Sequence, residues 1–114
     1  MDVLIGKELN ARINEILRSN QTIMLDEEDF RSCNPRLCFS YQLNDVSDLE
    51  FQKMDLFENI HNVIVVITSC KDVRIQEIDI LMERLNTVFS NPNIRCGVII
   101  DCSVDHIKID VFID

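Results

Sequence analysis

Asn62-Val63-Ile64-Val65-Val66-Ile67-Thr68 is the stretch on which the reading of this chain turns. Its five central residues are all β-branched, and no polar side chain interrupts them. Such residues pack well on a pleated surface, and an unbroken run, in place of alternation, marks a strand covered on both faces. The run over 63–67 is the longest apolar one in the chain, far below the roughly 20 residues of a membrane span.

On its C-terminal side, 73–89 reads as a helix. Ile75, Ile78, Met82, Leu85 and Phe89 form its apolar stripe, and Asn91-Pro92-Asn93 stops it. A second apolar strand over 94–100 closes at Asp101. The segment 106–113 then alternates, with Ile107, Ile109, Val111 and Ile113 pointing one way and Lys108 and Asp110 the other. Phe112 interrupts the polar side, so that face is expected to be partly covered or to be a contact surface.

On the N-terminal side, 48–58 is expected to form a short helix, 44–47 a turn and 37–43 a strand. Asn34-Pro35 ends a short helix that Asp26 can cap. The acidic first turn Asp26-Glu27-Glu28-Asp29 suits the positive end of the helix dipole. Residues 4–18 read as a helix with Ile5, Leu9, Ile13, Ile16 and Leu17 on one face. Lys7, Glu8, Arg12 and Glu15 lie mostly opposite, and Ser19-Asn20-Gln21-Thr22 breaks the pattern. The element order predicts one domain of the α+β class: a two-layer fold, with a mixed four-stranded sheet and helices packed on one face.

The totals narrow the function. The 114 residues carry a net charge of −9, and such a surface repels nucleic acid backbones and anionic membranes, so neither is an expected partner. The N-terminus lacks the basic segment of a secretory signal. Cysteines stand at 33, 38, 70, 96 and 102, an odd number with no CxxC pair. That pattern argues against a disulfide framework or a zinc ribbon and suits a reducing, cytoplasmic location. His61 and His106 read as ordinary surface or boundary residues. Only Gly6 and Gly97 are present, too few for a phosphate-cradling loop, so the chain alone should hold no nucleotide triphosphate. Gly97, within a strand, marks a close packing contact. Exposed, Phe30 or Phe112 would mark a protomer contact. On composition alone Asp26–Asp29 is a solvated first turn, and it lacks the oxygen-ligand pattern of a calcium loop.

Several strings resemble the FtsZ branch of the tubulin superfamily. Residues 62–68 look like the family strand V-L-V-N-I-T-G-G. Asn93-Ile94-Arg95-Cys96-Gly97-Val98-Ile99-Ile100-Asp101-Cys102-Ser103-Val104 is similar to N-I-I-x-G-x-x-I-D-x-S-L, and 106–113 to the strand I-R-V-T-V-I-A. Asp2-Val3-Leu4 resembles the N-D-V-L before the family's central helix. Ile23-Met24-Leu25-Asp26-Glu27-Glu28-Asp29-Phe30-Arg31-Ser32 resembles its synergy loop, I-N-L-D-F-A-D-V-R-S. The resemblance spans nearly the whole chain and is weakest over 33–61. It implies that 1–22 corresponds to the interdomain helix and 23–114 to the C-terminal activating domain, without the glycine-rich nucleotide-binding half.

In that family the loop enters the nucleotide pocket of the next protomer, where two acids position the attacking water. The resemblance assigns Asp26 and Asp29 to that catalytic role. It implies GTP and Mg held by the partner's nucleotide-binding domain, none by this chain, and a neighbouring FtsZ-like protomer as partner. Positioning and charge balance are most of what phosphoryl transfer asks of a protein. Three departures from the family pattern stand out: in the loop, Met24 replaces its asparagine and Glu27-Glu28 its apolar pair; Ser69-Cys70 replaces the paired glycines; and the 33–61 region is shorter than usual, with a reduced helix. The alternative is a non-catalytic α+β interaction module. A weak homodimer through apolar surface left by the missing half is a further expectation. A standalone enzyme ranks last, because no nucleophile–base pair stands out.

Overall fold

The strand expected over 62–68 is β4 (Asn62–Ser69), and every residue from Val63 to Ser69 is buried. A computed structural model describes residues 1–19, 21–23, 25–49, 59–71 and 73–114. Before β4 come β1 (Asp2–Leu4), α1 (Gly6–Arg18), β2 (Gln21–Ile23), α2 (Glu27–Cys33), β3 (Leu37–Leu43) and a 3-10 turn (Val46–Asp48). After it come α3 (Ile75–Phe89), β5 (Asn93–Ile100) and β6 (Ile107–Ile113). The helix expected over 48–58 falls mostly outside the described residues, as do Asn20, Met24 and Asp72.

The class is α+β with a mixed sheet, as the element order predicts. The described strands form one sheet in the order β1-β3-β6-β4-β5-β2. The four expected strands are its middle, with β4 and β5 parallel and β6 antiparallel to both β3 and β4. Six strands replace four because β1 and β2 add one three-residue edge each, pairing antiparallel with β3 and β5. Pieces that short carry no readable period.

Alternation along the central strands sorts two cores. Val63, Val65 and Ile67 of β4 join Ile109, Val111 and Ile113 of β6 beneath Leu81, Leu85 and Phe89 of α3. Ile64 and Val66, with Phe112, Cys38 and Ile99, face Leu9 and Ile16 of α1 and Phe30 and Cys33 of α2. The helices therefore divide between the two sheet faces and do not share one. The cause is the feature that identified β4: a strand apolar on both sides needs cover on both sides. Two helix stripes shift accordingly, since Ile75 is 75% exposed and Ile5, ahead of α1, is 59% exposed. Phe30 and Phe112, candidates for a protomer contact, are both buried and meet edge to face at 5.3 Å between ring centroids.

Gly97 is a close-contact position, as its place in a strand suggests. A Cβ built there would lie 2.6 Å from Leu25 Cδ1 and 2.9 Å from Leu25 Cγ, and Leu25 is itself buried. Gly97→Ala is therefore expected to cost about 1–3 kcal/mol through overpacking, read as a lowered urea midpoint with an unchanged slope.

Candidate functional site

Asp26 and Asp29 are brought together at the start of α2 by a reciprocal pair of hydrogen bonds. The Asp29 N–H donates to Asp26 Oδ1 at 3.0 Å, and the Asp26 N–H donates to Asp29 Oδ2 at 2.9 Å. Each carboxylate thus satisfies a helix-end N–H that has no partner within the helix. The turn leading in is braced from behind. The Gln21 side chain accepts from the Leu25 N–H at 2.8 Å and donates to the Leu25 carbonyl at 3.0 Å, copying a strand pairing. Leu25 then seats against Gly97, which fixes where Asp26 begins the helix.

The surroundings of the two acids differ. Asp26 is exposed. Asp29 is half-buried, and Arg95 of β5 leans on it: Nη1 donates to the Asp29 carbonyl at 3.0 Å, and Nε stands 3.6 Å from Oδ1. Glu27 and Glu28 are exposed and both pair with Arg31 at 3.2 Å on the flank of their own helix. Exposed pairs of this kind contribute little stability, but they offset half the charge of the two extra acids. At its other end α2 stops at Asn34, whose φ of 50° is left-handed, ahead of Pro35.

Sequence patterning therefore gives the acidic first turn and the Asp26 cap, the resemblance singles out Asp26 and Asp29, and neither shows what holds them. In the sequence Gln21 belongs to a polar break and Arg95 to an apolar strand. The available signal was Arg95 itself, a cation inside an otherwise apolar strand, which needs an acid or a carbonyl near it.

A second polar constellation lies under α1. Arg12, 8% exposed, donates from Nε at 3.0 Å and from Nη2 at 2.6 Å to Oδ2 of Asp110, which has no exposed surface. Burial works against the Arg12 charge, and the hydrogen bonds and attraction of Asp110, helped by Glu15 at 3.0 Å, outweigh it, so the guanidinium pKa is raised overall. Among the described residues Asp110 Oδ1 and Thr68 Oγ1 are buried without a hydrogen-bond partner. Arg12 was expected on the outer face of its helix, which the structure corrects.

Among the described residues no group of three or more His, Cys, Asp or Glu is arranged to hold a metal ion, and no helix is long and apolar enough to cross a membrane. Comparison with models of protein families finds none that matches the chain, and a search of curated proteins finds no similar sequence.

Proposed function

We propose that the chain is an FtsZ-type activating domain, which lends Asp26 and Asp29 to a GTP and magnesium site carried by a neighbouring nucleotide-binding domain in the cytoplasm. The observation that carries this reading is the reciprocal cap. Two short acids three residues apart are fixed at one helix entrance, on a turn braced by Gln21 and Leu25. Each carboxylate uses one oxygen for the cap, and Asp26, exposed, keeps its other oxygen for an incoming water. Orientation of that water, with no covalent step on the protein, is the contribution such a loop can make.

A second reading, the non-catalytic interaction module, is favoured by Arg95. It sets a positive charge against Asp29, whose Oδ2 already serves the cap, and so withdraws that acid from chemistry. The experiment that separates the two mixes the chain with the nucleotide-binding half of an FtsZ-type protein, GTP and magnesium. The double variant Asp26→Asn, Asp29→Asn keeps good capping atoms and loses both charges. Phosphate release is expected to fall by about tenfold or more, equivalent to at least about 1.4 kcal/mol of barrier. Equal rates for the two proteins would leave the interaction module.

A further inference from the structure

We propose that Cys70 and Cys102 form a dithiol site, oxidised reversibly by a disulfide oxidant to an intramolecular disulfide that ties the end of β4 to the end of β5. The site is independent of the acid pair at α2.

The five thiols fall into two groups. Cys33 and Cys38 are buried and Cys96 is largely covered, and burial pushes their thiols up, Cys33 to about 12 and Cys96 to about 11. Covered in this way, they are shielded from a disulfide oxidant. Cys70 and Cys102 are both exposed. Each follows the end of one of two neighbouring parallel strands, where Ser69 pairs with Ile100 and the Asp101 N–H donates to the Ser69 carbonyl at 2.9 Å.

Both cysteines sit on pinned turns. Ser69 Oγ accepts from the Lys71 N–H at 3.2 Å. Asp101 Oδ1 accepts from the Ser103 N–H at 2.9 Å and from its hydroxyl at 2.7 Å. Across the gap, Cys102 Sγ lies 3.9 Å from the Cys70 carbonyl oxygen. The Cys70 side chain is also a hydrogen-bonding and like-charge neighbour that, with Asp101, raises the Cys102 pKa. A disulfide requires Cα atoms usually less than about 7 Å apart. In the register of β4 and β5 Cys102 comes one residue after the position opposite Cys70, so the bond asks the two thiols to turn toward each other across the gap that Cys102 Sγ already spans to the Cys70 carbonyl.

The chemistry is a two-step exchange. One thiolate attacks a sulfur of glutathione disulfide, breaking its S–S bond and releasing one glutathione thiolate. The second cysteine, on losing its proton, attacks the protein sulfur of that mixed disulfide and releases the second glutathione. Two thiols become one disulfide, and the two electrons and two protons end on two glutathione molecules.

The test incubates the full chain in glutathione buffers of increasing oxidised fraction, alkylates the remaining thiols, and maps the peptides by mass. The expected product is monomeric, about 2 Da lighter through loss of two thiol hydrogens, with 70 linked to 102 and no glutathione retained. Reduced glutathione should reverse it. Cys70→Ser and Cys102→Ser should each stop at the mixed disulfide on the remaining exposed cysteine. Two glutathiones retained on the unaltered chain, linkage between molecules, bonds to Cys33, Cys38 or Cys96, or no reaction would each overturn the proposal.

Discussion

Arg12→Leu is expected to destabilise the chain by about 3–5 kcal/mol, the usual consequence of removing one member of a buried ion pair. The size follows from what is left behind. Asp110 has no exposed surface, its Oδ2 takes both hydrogen bonds from Arg12, and its Oδ1 has no other partner among the described residues. The leucine would strand a carboxylate between β6 and α1. Chemical denaturation would measure the loss, which is a large share of the roughly 5–15 kcal/mol available to a domain. Replacing both partners, as Arg12→Leu with Asp110→Val, should recover most of it, because two apolar side chains need no desolvated charge to be balanced. A loss under about 1 kcal/mol would mean that water reaches Asp110 and replaces the guanidinium.

Phe112→Ala should cost about 3–5 kcal/mol, the range for truncating a buried aromatic side chain. Phe112 has no exposed surface, pairs across the sheet with Cys38 and Ile64, and meets the Phe30 ring at an interplanar angle of 83°. Its removal opens a cavity beneath α1 and α2 together, because residues of both helices belong to the same core. Phe30 also loses an edge-to-face partner, worth about 0.5–1.5 kcal/mol beyond buried area. Phe112→Leu should cost clearly less by keeping part of the volume. Equal losses for alanine and leucine would assign the effect to the ring contact, and not to the filled space.

These two residues also mark where patterning stops being informative. The sides of β4 and β6 beneath α3, the stop of α2 at Asn34-Pro35 and the cap at Asp26 were all legible, because period, β-branching and turn chemistry are local. Asp110 and Phe112 lie on one face of β6, and the pattern leaves open whether that face is partly covered or is a contact surface. Only the position of β6 between β3 and β4 settles it, and strand order is a long-range property. The same holds for Arg12. Leu9, Arg12 and Ile16 are spaced as one helix face, yet its charge assigned it outward until an acid 98 residues away supplied the reason to bury it. At the candidate site, patterning gives the acidic first turn and its Asp26 cap, and only the resemblance singles out Asp26 and Asp29, whereas Arg95 comes from another strand and Gln21 acts through a side chain that imitates main chain.

The position of β6 bears on how the chain acquires its shape during synthesis. β6 follows β3 and β4 in the chain yet occupies the slot between them, hydrogen-bonded to β3 on one side and β4 on the other. Until the ribosome has released it, β3 and β4 lack their shared neighbour and both hydrophobic layers lack a wall. Docking of β6 must therefore follow translation of everything before it, and the many sequence-distant pairings it makes place this chain toward the slower end of single-domain folders. Nascent chains waiting for that insertion expose unpaired strand backbone, the period in which chaperone protection matters most.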